Sequence, residues 1–242
     1  MFVRRINRIF RRQEKDLSKN MIEFGSFRSL QPIIHSLCLN GNLCIDRYYI
    51  NEFISQHNND IRGHVLEIGD DTYTSWLGGN NVTKSDVLHF EDGNPKATIV
   101  ADLTRIESLP LNTFNCVICT QTLQYIYDVR RAIRTLHYIL RPCGVVLATF
   151  PTIAHISRYD LEHWGEYWRF TGMGARRLFE EDFSPDDVEI KSYGNVLTAM
   201  AFLHGIPADQ LSQTELDHCD QDYEVLTAVR AVKGESSWPI TQ

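Results

Sequence analysis

Four places in this 242-residue chain set a glycine or a polar group directly behind a short apolar run. The first is Glu67-Ile68-Gly69-Asp70-Asp71, after His64–Ile68. The second is Asp86, closing Val82–Leu88; the third is Asp102, after Ala97–Val100; the fourth is Thr120–Gln124, at the end of Phe114–Thr120. Ionised carboxylates only accept hydrogen bonds. Three acidic strand ends and one glycine therefore favour a ligand rich in hydroxyl and amino donors over one rich in phosphate. The first loop lacks Lys and lacks G-x-x-x-x-G-K-[ST], which excludes an NTP-binding P-loop. Gly69 begins no G-x-G-x-x-G, so a nicotinamide oxidoreductase loses its phosphate-cradling loop.

Metal chemistry finds no such support. The nine histidines show no ligand spacing. Cys116 and Cys119 form a C-x-x-C, but inside an apolar run that reads as a strand, where residues three apart point to opposite faces. They read as buried structural thiols, and reduced thiols are the expectation for the six cysteines of a chain with no recognisable secretory leader.

The elements that position these groups alternate in type. Ile45–Ile54 has helical spacing. Strand signals follow at His64–Ile68, Val82–Leu88, Ala97–Val100 and Phe114–Thr120, the last nearly continuous in apolar residues, as a central parallel strand is. Asp128 reads as the N-cap of a helix carrying Val129, Ile133, Leu136, Ile139 and Leu140 on one stripe. Val145–Phe150 is a fifth strand. Then come a helix at Gly174–Glu181, a strand at Val188–Tyr193, a helix at Val196–His204 and a strand at Tyr223–Val232. This predicts an α/β fold, a doubly wound and mostly parallel seven-stranded sheet. In such sheets ligands bind at the carboxyl ends of the strands, where the four polar groups stand.

Apolar residues are 43% of the chain and charged residues 23%, a globular composition. No apolar run approaches the roughly 18 residues that cross a bilayer. The net charge of −7 argues against general nucleic-acid binding. It is unevenly spread: residues 1–20 hold seven Arg and Lys against two acids, a net of +5, and the remainder carries −12. Phe2, Ile6, Ile9 and Phe10 form one stripe of a helix whose other faces are basic. The expected organisation is a basic amphipathic arm at 1–20, one domain at 21–233 and a polar tail at 234–242. The arm suits packing on its own domain, docking on an acidic partner or weak contact with an anionic membrane surface.

In its central part the sequence resembles the class I S-adenosylmethionine-dependent methyltransferases, of the type 11 kind. The resemblance covers about Arg62–Pro151 and rests on VLEIG at Val65–Gly69, the acid ending the second strand, ADLTRIESLP at Ala101–Pro110, FNCVICTQTLQYIYD at Phe114–Asp128 and LRPCGVVLATFP at Leu140–Pro151. EYWRFT at Glu166–Thr171 resembles a subgroup from bacterial surface-polysaccharide gene clusters. The resemblance implies a Rossmann-like methyltransferase fold with S-adenosyl-L-methionine as cofactor. It implies that Gly69 lets the backbone approach the methionine moiety, Asp86 accepts from the ribose hydroxyls, Asp102 accepts from the adenine amino group, Leu103 touches the ring, and Thr120 and Gln121 line the floor near the methyl group. The family's G-x-G-x-G loop reads Gly69-Asp70-Asp71-Thr72-Tyr73 here. Asp71 and Tyr73 replace glycines, so Asp71 is a candidate for the cofactor's ammonium and Glu67 a support from below. A non-catalytic relative is the alternative that this departure raises.

Methyl transfer to a hydroxyl benefits from a general base. His163, then His155 and Asp160, are the candidates, clustered just past the fifth strand. Trp164, Tyr167, Trp168 and Arg169 follow and are candidates for acceptor binding, the rings suiting a sugar face. The expected function is O-methylation of a sugar hydroxyl in a bacterial glycan or glycan precursor, in the cytoplasm and in weak contact with the inner membrane face through residues 1–20. A small-molecule natural-product methyltransferase is the alternative. Each basic residue near an anionic surface contributes on the order of 1 kcal/mol, screened within a Debye length. Deleting residues 1–20 should therefore abolish co-sedimentation with anionic vesicles at low salt and leave cofactor affinity intact; a full-length protein that never sediments with them would show the arm to be packing or partner-docking material.

Overall fold

The computed structural model describes residues 23–35 and 42–235; the basic arm at 1–20 lies outside them. Seven strands form one sheet in the order β3-β2-β1-β4-β5-β7-β6. They are β1 (Gly63–Ile68), β2 (Val82–His89), β3 (Ile99–Val100), β4 (Phe114–Thr120), β5 (Leu140–Pro151), β6 (Val188–Tyr193) and β7 (Leu226–Val232). β1 to β5 pair in parallel, and β7 lies antiparallel between β5 and β6. The order reverses direction between β1 and β4, which creates the crevice where open α/β sheets bind ligands.

Alternation along the strands builds two cores. Leu66, Val117, Cys119, Val146 and Phe150 face one layer, formed by α1 (Val129–Ile139), α2 (Gly172–Phe179) and Phe183. Val65, Cys116, Ile118 and Leu147 face the other, formed by α3 (Ile45–Gln56), α4 (Val196–Leu203) and the short α5 (Gln213–Asp217). Cys116 and Cys119 thus sit on opposite faces of β4, as period-2 geometry requires. Cys44, by contrast, is disulfide-bonded, so reduced thiols do not hold throughout the chain.

Several boundaries differ from the sequence pattern, and the two largest strand shifts have local reasons. β5 starts at Leu140, five residues early, because Leu140 pairs with Phe114 before a register shift brings Val145 opposite Cys116. Gly144 lies within that irregular stretch, where a Cβ would stand 2.8 Å from the Arg141 carbonyl and 2.9 Å from that of Phe114. β7 starts at Leu226, three residues late, because Val225 bends to accept from Thr152 while donating to Tyr193. Between β1 and β2 the chain makes only a π-helical turn (Thr74–Gly78) and a 3-10 turn (Gly79–Asn81).

The helices other than α3 start on a side-chain cap. Asp128 accepts from the Arg131 N–H at 3.2 Å, and Asn195 closes a capping box with Thr198. Capping by an acid satisfies an otherwise orphaned donor and is worth about 1 kcal/mol. Asp128→Ala should lower unfolding stability by about that amount in a denaturant titration, and no loss would show the cap to be replaceable by water.

Candidate active site

β1 ends on Glu67-Ile68-Gly69, and its geometry is set by one buried carboxylate. Glu67 is 2% exposed. One oxygen accepts from the Tyr73 N–H at 3.0 Å; the other accepts from the Thr74 N–H at 2.8 Å and the Thr74 hydroxyl at 2.7 Å. Burial pushes its carboxyl up from the usual range, opposed by those donors. The loop is therefore clamped by a side chain although two of the expected glycines are missing. Tyr73 fills its place by turning into the α3 side, where its hydroxyl donates to Asn51 at 3.2 Å. Gly69 keeps the requirement for glycine: its φ is +94°, and nothing lies within 4 Å of where a Cβ would stand. Its carbonyl accepts from the Asn94 side chain at 2.6 Å.

A cavity of about 780 Å³ opens in front of Gly69. It is walled by the carboxyl ends of β1, β2, β3 and β4, by α3 and by the segment after β5. Glu67, Gly69, Asp102, Leu103, Thr120, Gln121, His163, Trp164 and Tyr167 all line it. Asp102 uses one oxygen on the Thr104 N–H and hydroxyl, both at 2.8 Å, and leaves the other with only a 3.8 Å approach from Arg105. Leu103 is buried behind it.

Four residues read from the sequence line neither this cavity nor the smaller one beside it. Asp86 lies inside β2, since the strand runs on to His89. Its carboxylate is taken by His64 at 2.6 Å, Lys84 at 2.8 Å and Thr98 at 2.8 Å. Burial alone would raise its pKa, but Lys84, His64 and Thr98 outweigh that and bring it down to about 2. The residue that does follow Leu88 along the cavity wall is His89, with Phe90 next. Asp71 points outward to Lys96 at 2.6 Å and Ser75 at 3.1 Å. Trp168 donates its indole N–H to the Ile126 carbonyl at 3.0 Å and stacks on Tyr127. Arg169 is held by Glu166 and by the His155 carbonyl. These side chains are consumed by the fold and are corrected out of the binding set.

A second cavity, of about 410 Å³, adjoins the first and shares Arg47, Gln121 and Tyr125 with it. His155 and Asp160 line this one, and Asp160 accepts from the Tyr125 hydroxyl at 2.9 Å. His163 lines the first cavity instead: its Nδ1 meets the Tyr159 carbonyl at 2.7 Å, which makes Nδ1 the donor and leaves Nε2 as the accepting nitrogen. The three candidate bases are thus divided between two rooms.

Residues missed in the sequence reading come from two sources. His89 and Phe90 were hidden by ending β2 one residue short; the sheet pairs Ile68 with Leu88, which puts the residue after Leu88 level with Gly69. Asp46, Arg47 and Asn51 come from α3, which packs over the strand ends. No spacing within Ile45–Gln56 announces that.

The Methyltransferase domain family matches residues 72–148 of the chain. A search of curated protein sequences finds no match. Among solved structures, a S-adenosylmethionine-dependent methyltransferase from Mesorhizobium loti is 16% identical, with 78% of this chain and 98% of that one covered and a TM-score of 0.51. The [4+2]-cyclase SpnF is 11% identical, with 78% and 82% covered and a TM-score of 0.50. Phosphoethanolamine N-methyltransferase 2 of Haemonchus contortus, in complex with S-adenosyl-L-methionine, is 14% identical, with 78% and 57% covered and a TM-score of 0.46. The first two likenesses show the fold. The domain match marks the chain as an enzyme, a methyltransferase whose cofactor is S-adenosyl-L-methionine.

The residues present fit that group. Open space before Gly69 leaves room for a ligand against the backbone, the second oxygen of Asp102, approached by Arg105 at 3.8 Å, has accepting capacity left for an amino group, and Leu103, Leu88 and Phe90 offer apolar surface to a ring. Asp86, by contrast, belongs to the sheet. Asp86→Asn should leave S-adenosylhomocysteine affinity in calorimetry unchanged while lowering stability at neutral pH. Because the folded pKa is depressed, the stabilisation is full above the unfolded value near ~4 and is lost as pH falls toward about 2. The variant's deficit should close over that window; a weakened cofactor would restore Asp86 to the binding set.

Proposed function

We propose that this methyltransferase O-methylates a sugar hydroxyl of a bacterial glycan or glycan precursor, in the cytoplasm and close to the inner face of the membrane. The observation that carries this reading is the second cavity, whose wall sets Asp46, Gln121, Gln124, His155, Asp160 and Glu166 among apolar residues and which shares Arg47, Gln121 and Tyr125 with the first. A methyl acceptor must sit beside the cofactor site, and here the adjoining room is lined by hydrogen-bonding side chains. Trp164 and Tyr167 at the edge of the first cavity add ring surface suited to a sugar face.

When bound, S-adenosyl-L-methionine supplies a methyl group activated by its sulfonium. The chain's own contribution is to align the acceptor and exclude water, and alignment alone accounts for a large part of such rate gains. Gly69 and the Glu67-clamped loop hold the cofactor side; Gln121 and Tyr125 stand at the junction. His155 and Asp160, which line the second cavity, take the hydroxyl proton in this reading. His163 offers its Nε2 from the first wall.

The test is product identification. Full-length enzyme and methyl-labelled cofactor are incubated with a pool of bacterial nucleotide sugars and lipid-linked sugars, and the labelled product is analysed by mass spectrometry. A methyl ether on a sugar ring is the expected product. Label recovered on an amine or on a non-sugar metabolite would overturn the assignment in favour of small-molecule methylation.

A further inference from the structure

Buried polar atoms without a partner are rare, and each calls for an explanation. Among the described residues six side-chain atoms are of this kind, and three of them belong to residues lining the second cavity: Asp46 Oδ1, Gln121 Nε2 and Gln124 Oε1. Gln124 is 2% exposed, so water does not satisfy it from outside. The three come from two separate elements, the first turn of α3 and the segment after β4. Coincidence on one small cavity is better explained by a ligand.

The amide orientations are linked. Gln124 donates its Nε2 to Gln121 Oε1 at 3.0 Å, so each side chain spends one half of its amide on the other. What remains is an acceptor on Gln124 and a donor on Gln121. Asp46 adds a second acceptor. Gln121 also stands at a φ of +47°, a conformation that costs a non-glycine residue energy and that persists where surrounding structure over-determines it.

This donor and acceptor pattern selects a ligand class. An ammonium ion has no lone pair to accept from Gln121 Nε2. A phosphate or carboxylate has no proton for Asp46 Oδ1 or Gln124 Oε1, and against the one guanidinium of Arg47 it would face three carboxylates on the same wall, those of Asp46, Asp160 and Glu166. A hydroxyl donates and accepts at once. We propose that the second cavity is the acceptor subsite and that Asp46, Gln121 and Gln124 together read two neighbouring hydroxyls of an uncharged acceptor. The inference rests on the sugar reading above and narrows it to a ring without charge next to the methylated position. Gln121, which lines both cavities, is the residue that hands one of these hydroxyls to the cofactor side. Burial raises the Asp46 carboxyl above its usual range against the pull of Arg47, as befits an oxygen lacking a donor.

Binding decides this without turnover. Full-length enzyme loaded with S-adenosylhomocysteine is examined by saturation-transfer NMR against methyl glucoside, methyl galactoside and methyl mannoside, and against glucosamine, glucose 6-phosphate and glucuronate. At least one neutral glycoside should bind, and more tightly than the charged sugars. Asp46→Ala and Gln124→Met should each weaken it by about tenfold or more, the size of a lost buried hydrogen bond. S-adenosylhomocysteine affinity, which reports folding of the neighbouring cavity, should stay unchanged in both. Neutral glycosides that bind both variants as they bind the parent enzyme would overturn the subsite, as would stronger binding of a charged sugar or no binding of any neutral one. The labelled product identifies the failing step: a methylated sugar whose formation is indifferent to Gln124→Met removes the subsite alone, whereas a non-sugar product removes the sugar reading.

Discussion

A carboxylate buried under a loop is tolerated only when its oxygens are bonded, and Glu67 meets that condition by holding the loop itself. Its three donors are the backbone of Tyr73 and Thr74 and the Thr74 hydroxyl, so the chain beyond β1 is fixed from within the protein. Everything on the cofactor side follows from this clamp. Gly69 is held at positive φ with its carbonyl tied to Asn94, the turn Thr74–Gly78 starts where the carboxylate ends, and Tyr73 becomes part of the wall under α3. Glycines would make such a loop by conformational freedom; here a buried acid makes it by hydrogen bonds.

The second organising feature is the crossing from one cavity to the next. β4 ends in Thr120, and Gln121 turns into the left-handed region directly after it. That turn places one amide at the boundary of two rooms of different character. The first is walled partly by Leu88, Phe90, Leu103 and Ile126 and suits a flat ring; the second concentrates carboxylates and amides. A transfer reaction needs donor and acceptor on a shared boundary, and the sheet supplies one at its switch point. The likeness to a cyclase as well as to methyltransferases shows that the fold alone leaves the chemistry of the second room open.

Much of the frame was legible in the residues. Period-2 alternation and the continuous run Phe114–Thr120 located β4 with both ends right, Val188–Tyr193 likewise, and Asp128 was correctly read as a cap. Gly69 stood out because a glycine behind a strand signals a turn that other residues resist. These are local properties, encoded by neighbours a few positions apart. Asp86 shows where local reading stops. Asp86 was read as closing β2 although the apolar residues run on to Leu88 and the sheet to His89, because nothing in VTKSDVLHF marks the last hydrogen-bonded position.

What the chain alone determined, then, is the order of strands and helices and the glycine at the end of β1, since these follow from apolar spacing and backbone conformation. Only the tertiary structure decided which polar residues are spent and which are left over. Asp71, Asp86, Trp168 and Arg169 find partners within the protein, whereas Asp46, Gln121 and Gln124 keep atoms unpaired. The physical reason is that a hydrogen bond is settled by proximity in space. Asp46 and Gln124 stand 78 positions apart in the sequence, and only the packing of α3 across the strand ends brings them to one wall.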